Sequence, residues 1–191
     1  MEIDKLCLWL SNEESNLNDT RNVEFIGKII QVEVRHITLP NGHEMEIEVV
    51  HHPGGAAVVA LNEKQEICLL KQYRSVFDDW LWELPAGKRD HQEPPLETAK
   101  RELVEEAGVK GGQWQELGSM ISSPGVFSER VYLYLATGLT HVGTDSGIDE
   151  VIQVHWIPVE EAYQWAFQGQ ISDAKSVIGI VRAMPLIRDR I

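Results

Sequence analysis

Three glutamates in the middle of the 191-residue chain have a spacing that could serve a divalent cation. Glu102, Glu105 and Glu106 stand at positions i, i+3 and i+4, so a helix would project all three from one face. Like charges at this spacing repel and destabilise a bare helix. Carboxylate oxygens are the ligands that a hard cation such as Mg²⁺ prefers. The charge pattern alone is also typical of a solvated acidic face that Lys100 and Arg101 compensate in part.

The residues on both sides of these glutamates predict a loop, a helix and a second loop. The helix is preceded by the Gly-containing loop Pro85-Ala86-Gly87. Pro94-Pro95 can begin a helix, because proline is tolerated in its first turn. Gly108 can end it. Three carboxylates at one end of a helix that faces a loop favour a cation site over a solvated face.

The segment from Gly87 to Val109 matches a known motif at every position. It reads Gly87, five residues, Glu93, seven residues, and then Arg101-Glu-Leu-Val-Glu-Glu-Ala-Gly-Val109. This is the Nudix box, GX5EX7REUXEEXGU, in which X is any residue and U is an apolar residue. A match to seven fixed residues and two apolar positions arises by chance with a frequency on the order of 10⁻⁷ or less. The chain therefore resembles the Nudix hydrolases, and most closely their ADP-ribose pyrophosphatase and nucleoside diphosphate sugar hydrolase branch.

The resemblance implies an α+β Nudix fold, an α/β/α sandwich around a mixed sheet, here with an N-terminal antiparallel β-hairpin appendage. It implies Mg²⁺, with Mn²⁺ as a substitute, held by Glu102, Glu105, Glu106 and the backbone carbonyl of Ala86. Such ions offset the charge of a pyrophosphate and lower the pKa of a bound water. The box residues with an implied structural role are Gly87, Glu93, Arg101 and Gly108.

The branch also implies substrate-binding residues outside the box. Pro124 lies in a Pro/Gly loop, and Glu129 at its end matches a glutamate near the terminal ribose of the substrate. Arg74 matches an arginine that contacts the diphosphate, and Phe25 is a candidate for stacking on the base. From the residues alone, the loop could be an ordinary turn with a surface carboxylate. Likewise, Arg74 could form a surface salt bridge, and Phe25 could belong to the core.

The catalytic carboxylate of a mobile loop is expected between Gly143 and Val151. Glu150 is the predicted metal ligand or base, with Asp149 and Asp145 as reserves. The box carboxylates Glu105 and Glu106 are predicted as catalytic residues beside it. A general base need only reach the attacking water, so the sequence does not decide among them.

One departure concerns the substrate. Glu48 stands where some relatives carry a second pocket arginine. The expected reaction is hydrolysis of ADP-ribose to AMP and ribose 5-phosphate. The alternative substrates are GDP-mannose or another nucleoside diphosphate sugar. A non-catalytic nucleotide-binding module is a remote alternative, because such modules usually lose box carboxylates and this box is complete.

The charge balance limits the partners. The chain has 30 acidic and 17 basic residues and a formal net charge of −13. This argues against nucleic acid and anionic membranes, which require clustered Lys and Arg. The absence of a signal peptide or a ~20-residue apolar run favours a cytoplasmic protein.

Two domains are expected. Residues 1–52 comprise an N-terminal segment and a β-hairpin around Pro40-Asn41-Gly42, and residues 53–191 form the Nudix hydrolase domain. The hairpin resembles the dimerisation region of the branch, which implies a homodimer. In the second domain, the pattern predicts short mixed strands, the box helix, a helix that ends at Gly169 and a last helix capped by Ser172.

Overall fold

The computed structural model describes residues 20–90, 93–143 and 151–189. The chain divides into two compact units, residues 1–51 and 52–191. The first unit contains the antiparallel strands β1 (Thr20–Ile26), β2 (Gln31–Thr38) and β3 (Glu44–His51), in that spatial order. The turn between β2 and β3 is closed by a hydrogen bond from the Gly42 amide to the Leu39 carbonyl, 2.8 Å. The N-terminal hairpin is thus confirmed, and a third strand extends it.

The second unit contains nine strands and three helices within the described ranges. The strands are β4 (Gly55–Ala60), β5 (Glu66–Arg74), β6 (Asp79–Glu83), β7 (Ala86–Lys88), β8 (Val109–Lys110), β9 (Gln113–Ile121), β10 (Arg130–Thr137), β11 (Thr140–His141) and β12 (Ile152–Pro158). The helices are α1 (Pro95–Ala107), α2 (Val159–Gln168) and α3 (Ala174–Arg188).

Strand pairing confirms the predicted mixed sheet. β4 runs parallel to β10 and antiparallel to β7, and β9 pairs antiparallel with β10, which gives the order β7-β4-β10-β9. A second sheet has the order β12-β5-β6 and is antiparallel throughout. The two-residue strands β8 and β11 pair with each other after the box helix.

The core has two layers, one on each side of β4. Side chains alternate across a strand, so Ala57 and Val59 join one buried cluster, whereas Ala56 and Val58 join the other. The first cluster includes Ile180 of α3. The other includes residues of α1 such as Ala99 and Leu103. β4 is therefore covered on both faces by helices, which is the predicted α/β/α arrangement.

Local signals place the ends of the helices. Pro95 begins α1, and Gly108 ends it in the left-handed conformation at φ 67°, as the sequence predicted. Gly169 likewise ends α2. The predicted cap of the last helix is wrong, because the cap is Asp173 rather than Ser172: its carboxylate accepts a hydrogen bond from the amide of Ser176, 3.1 Å. Across the described ranges, none of the helices has the length and apolar character needed to span a bilayer.

Candidate active site

The carboxylates of α1 pack against β7. Glu102 is 8% exposed and Glu106 3% exposed, whereas the side chain of Glu105 is 40% exposed. A Cβ on Gly87 would lie 1.9 Å from Glu102 Oε1, so glycine leaves the room that this carboxylate occupies. A solvated acidic face is therefore the wrong interpretation for Glu102 and Glu106.

Arg101 supplies positive charge among these carboxylates. Its Nη1 donates to Glu102 Oε1 at 2.7 Å and to Glu105 Oε2 at 3.0 Å. Its Nη2 donates to Glu93 Oε2 at 3.1 Å and to the carbonyl of Lys88 at 3.2 Å. Burial acts to lower the pKa of Arg101, but the hydrogen bonds and charges of the glutamates outweigh it and raise that pKa. The guanidinium thus ties the helix to the loop that precedes it.

Glu106 lies beside the backbone of the box loop. The amide of Ala86 donates to Glu106 Oε2 at 2.8 Å. Burial raises the pKa of the neighbouring thiol of Cys68 to about 12, and the charge of Glu106 contributes in the same direction. Cys68 is therefore a protonated thiol at neutral pH, which argues against a role as a nucleophile.

The donor set of this region fits a divalent cation. It combines carboxylates on one helix face with a glycine loop whose backbone lies against one of them. In the parts of the chain that the structure describes, no three His, Cys, Asp or Glu side chains converge into a ready-made metal cluster. Arg101 instead bridges Glu102 and Glu105. A cation near these carboxylates would take over part of that charge compensation.

The predicted loop carboxylates fall outside the described residues. These are Asp145, Asp149 and Glu150, which lie between Gly143 and Val151.

Arg74 is held at the end of β5 by an ion pair with the buried carboxylate of Glu83. Its Nε and Nη2 donate to the two oxygens of Glu83 at 2.6 and 2.7 Å, and Lys175 donates to the same carboxylate at 2.5 Å. Burial alone would raise the pKa of Glu83, but its hydrogen bond to Arg74 and the charge of Lys175 lower it to about 2.

Arg74 also interacts electrostatically with Glu106 of α1. Its hydrogen bond to Glu83 raises its pKa most, and the charge of Glu106 raises it further. The side chain is 39% exposed, so part of it remains accessible to an anion. Arg74 therefore forms a salt bridge, which was one of the two roles that the sequence allowed. The same salt bridge orients its guanidinium where the charge of Glu106 acts on it.

The Pro/Gly loop after β9 is a tight turn next to His52. The amides of Val126 and Phe127 donate to the carbonyl of Ser123 at 3.2 and 2.9 Å, and Pro124 is exposed at the tip. Glu129 is 22% exposed at the side chain, and its Oε1 lies 3.4 Å from His52 Nδ1.

Phe25 belongs to the first unit. It lies in β1 and is 54% exposed. Phe25 is therefore a surface residue of that unit. The alternative that it belongs to the core is wrong.

A cleft of about 550 Å³ runs along the outer face of α1, within the usual size of small-molecule sites. It is lined by the box residues Glu93, Arg101 and Glu105, together with Lys110 and Trp114. No spacing pattern in the sequence points to Lys110 or Trp114. None points to the contact of His52 with Ser128 or of Lys175 with Glu83 either, because the partners are 76 and 92 positions apart.

Comparisons with known proteins assign the family. A NUDIX domain model matches residues 51–177. The chain is 36% identical to a methanol dehydrogenase activator of Bacillus methanolicus, over 82% of this chain and 85% of that protein. It is 37% identical to an ADP-ribose pyrophosphatase of Mycobacterium tuberculosis, over 81% and 76%. It is 31% identical to a CMP-5'-(N-acetyl-N-hydroxy-3-aminopropyl)phosphonate hydrolase of Streptomyces rubellomurinus, over 93% and 83%.

A solved structure agrees with this assignment at the level of the fold. An ADP compounds hydrolase superposes with a TM-score of 0.77 at 18% identity, over 93% of this chain and 98% of the other. Nudix hydrolases generally use divalent metal ions, which agrees with the donor set on α1. With the box complete in sequence and its carboxylates gathered at the β7 loop, the chain belongs to the Nudix family and is a Nudix hydrolase.

Proposed function

We propose that the protein is a Mg²⁺-dependent diphosphatase that hydrolyses ADP-ribose to AMP and ribose 5-phosphate. The observation that carries this proposal is that the α1 carboxylates and Arg74 are grouped near β7. Two buried carboxylates, Glu102 and Glu106, pack against Gly87 and the amide of Ala86. Arg74 stands within the field of Glu106. Carboxylates for a cation and an arginine for an anion are what a diphosphate substrate needs.

The metal would be held by α1 and the box loop. Its ligands are Glu102, Glu105, Glu106 and the carbonyl of Ala86, with Glu150 as a further ligand or base. When bound, Mg²⁺ supplies neutralisation of the phosphate charge and acidification of a coordinated water. The chain itself contributes Glu105, Glu106 and Glu150 as candidate catalytic carboxylates, of which one accepts the proton of the attacking water.

The remaining side chains position the substrate. Arg74, oriented by Glu83, binds the diphosphate through its accessible face. Glu129 accepts hydrogen bonds from hydroxyls of the terminal ribose, and Pro124 shapes its loop. Phe25 stacks on the base. Water attacks one phosphorus atom, and the bond from that atom to the bridging oxygen breaks.

The N-terminal region, residues 1–52, is proposed to mediate a homodimer through the first unit. Its described part exposes apolar side chains that would gain about 25 cal/mol for each Å² buried. These are Val23, Ile26, Ile29 and Met45, each at least 39% exposed. We place the enzyme in the cytoplasm, where its nucleotide substrate would be found.

A second candidate is another nucleotide conjugate, such as GDP-mannose. Two observations favour it. Glu48 on β3 is an exposed acid where some relatives carry a second pocket arginine, and this replacement weakens the case for ADP-ribose over other nucleotide sugars. The relative that covers 93% of this chain is named for a CMP-linked phosphonate.

Product analysis on a substrate panel tests the proposal. ADP-ribose, GDP-mannose, UDP-glucose and NADH are incubated with the protein, with and without Mg²⁺, and the nucleotides are separated by chromatography. We expect AMP from ADP-ribose, only when Mg²⁺ is present, and at the highest kcat/KM of the panel. Faster turnover of GDP-mannose would move the assignment to the second candidate. Release of no monophosphate from any compound would defeat both.

A further inference from the structure

His52 packs against the loop that carries Glu129. Its amide donates to Ser128 Oγ at 3.1 Å, its ring centroid lies 5.2 Å from that of Phe127, and its Nδ1 lies 3.4 Å from Glu129 Oε1. One residue therefore contacts three consecutive positions of the loop. Its side chain is 14% exposed, so the imidazole is largely shielded from solvent, whereas the hydrogen bond to Ser128 lies at the surface.

The protonation state of the ring decides what Glu129 can do. The amide of Gly54 donates to His52 Nδ1 at 3.1 Å. A nitrogen that accepts this hydrogen bond carries no proton, so the neutral ring has its proton on Nε2. His52 Nδ1 and Glu129 Oε1 are then two acceptors that face each other without a hydrogen bond. The Glu129 carboxylate keeps its capacity to accept hydrogen bonds from a ligand.

A second proton on the ring would reverse this arrangement. A protonated Nδ1 donates to Glu129, and the Gly54 amide loses its acceptor. The charged groups that face the ring are Glu129 and Lys88. Burial lowers the pKa of His52, Glu129 acts to raise it, and Lys88 acts to lower it, with a net lowering. The neutral form is therefore favoured at neutral pH.

Backbone geometry keeps His52 at this position. Gly54 has φ +77°, and a Cβ on it would lie 2.6 Å from the carbonyl oxygen of Arg130. The chain after His52 thus runs close to the start of β10, and a residue other than glycine would push the two segments apart.

We propose that His52 is a positioning residue for the ribose-binding carboxylate. In its neutral form it fixes residues 127–129 and leaves Glu129 free to accept from the vicinal hydroxyls of the terminal ribose. In its protonated form it pairs with Glu129 and competes with the substrate. This inference rests on the proposed function, because it is the substrate that gives Glu129 its role.

Because the pKa of His52 is lowered, steady-state kinetics with ADP-ribose at about pH 5 and about pH 8 test the proposal, the lower value lying well below the ordinary histidine pKa. His52→Ala removes the acceptor, and we expect KM to rise about tenfold, the loss of roughly one hydrogen bond, with kcat changed by less than about twofold. His52→Asn keeps an acceptor near Nδ1 but cannot be protonated. We expect it to restore KM at the higher pH and to abolish the rise in KM that the wild-type enzyme shows at the lower pH. His43→Ala, which removes an exposed imidazole from the β2–β3 turn, is the control.

Two results would overturn the inference: a KM for His52→Ala within about twofold of the wild type, or an unchanged pH dependence in His52→Asn. If the wild-type enzyme does not hydrolyse ADP-ribose, the proposed function fails by itself. In that case ¹⁵N NMR of the imidazole decides about His52. We expect the Nε2-protonated tautomer with Nδ1 as acceptor, and a neutral ring protonated at Nδ1 would contradict the proposal.

Discussion

Gly87→Ala is a steric probe of the Glu102 carboxylate. The added Cβ would lie 1.9 Å from Oε1 and 2.0 Å from Cδ of Glu102. Carbon atoms in contact stay about 3.5 Å apart, so the carboxylate must move by about 1.5 Å. A misplacement of about 1 Å in a catalytic site can lower the rate about 10²-fold. We therefore expect kcat/KM for ADP-ribose to fall at least about 10²-fold and the Mg²⁺ requirement to rise.

The stability of Gly87→Ala shows whether the loss of activity comes from the displaced Glu102 carboxylate or from unfolding of the protein. The clash involves the end of a side chain, so it is relieved when Glu102 turns away from Arg101. The cost is one charged hydrogen bond, about 1–3 kcal/mol, and Tm falls by about 2–4 °C for each kcal/mol in a protein of this size.

The double variant with Glu102→Asp tests the contact itself. The shorter side chain makes room for the methyl group, so the two changes should cost less together than separately, by about 1 kcal/mol in the unfolding free energy. Full activity in Gly87→Ala, or additive unfolding free energies, would refute the packing argument.

Two further predictions concern the charges around the site. Glu83 has a pKa lowered from 4.5 to about 2, so its ion pair stabilises the protein above pH 4.5 by on the order of 3 kcal/mol, and this is lost as the pH falls to about 2. Glu83→Gln should accordingly be less stable near neutral pH, and urea titrations should show the difference from the wild type shrinking across that window; a constant difference would exclude this explanation. Arg101→Met leaves Glu102 and Glu105 without their shared cation. Its Tm without metal should therefore fall, and saturating Mg²⁺ should raise Tm more than in the wild type, because binding to the folded state stabilises it. Equal Mg²⁺ shifts in calorimetry would contradict the shared role of Arg101 and the metal.

Local sequence signals account for the parts of the fold that were predicted correctly. Pro95 and Gly108 determine the ends of α1 through their own backbone preferences, so the helix could be placed without knowledge of its neighbours. The two candidates for the cap of α3, Ser172 and Asp173, are adjacent, and each has a side-chain oxygen that can accept a hydrogen bond from a helix amide. Only the three-dimensional geometry shows that the Asp173 carboxylate reaches the amide of Ser176.

Contacts between distant residues could not be predicted in this way. Lys175 and Glu83 are 92 positions apart, and His52 meets Ser128 across 76 positions. Neither pair has a spacing signature. The motif identified Gly87 as an invariant of the box, but only the packing of the Glu102 carboxylate shows why a Cβ cannot be accommodated there.

The turnover of Glu106→Gln with ADP-ribose at saturating Mg²⁺ tests the central claim most directly. The amide can still accept from the Ala86 N–H, so the fold should persist while a metal-binding charge is lost. We expect kcat to fall about 10³-fold, with Tm close to that of the wild type. Glu97→Gln, the same change at an exposed position of α1 that pairs with Lys100, should retain full activity. Near-normal turnover of Glu106→Gln would contradict the assignment of α1 as the metal-binding helix.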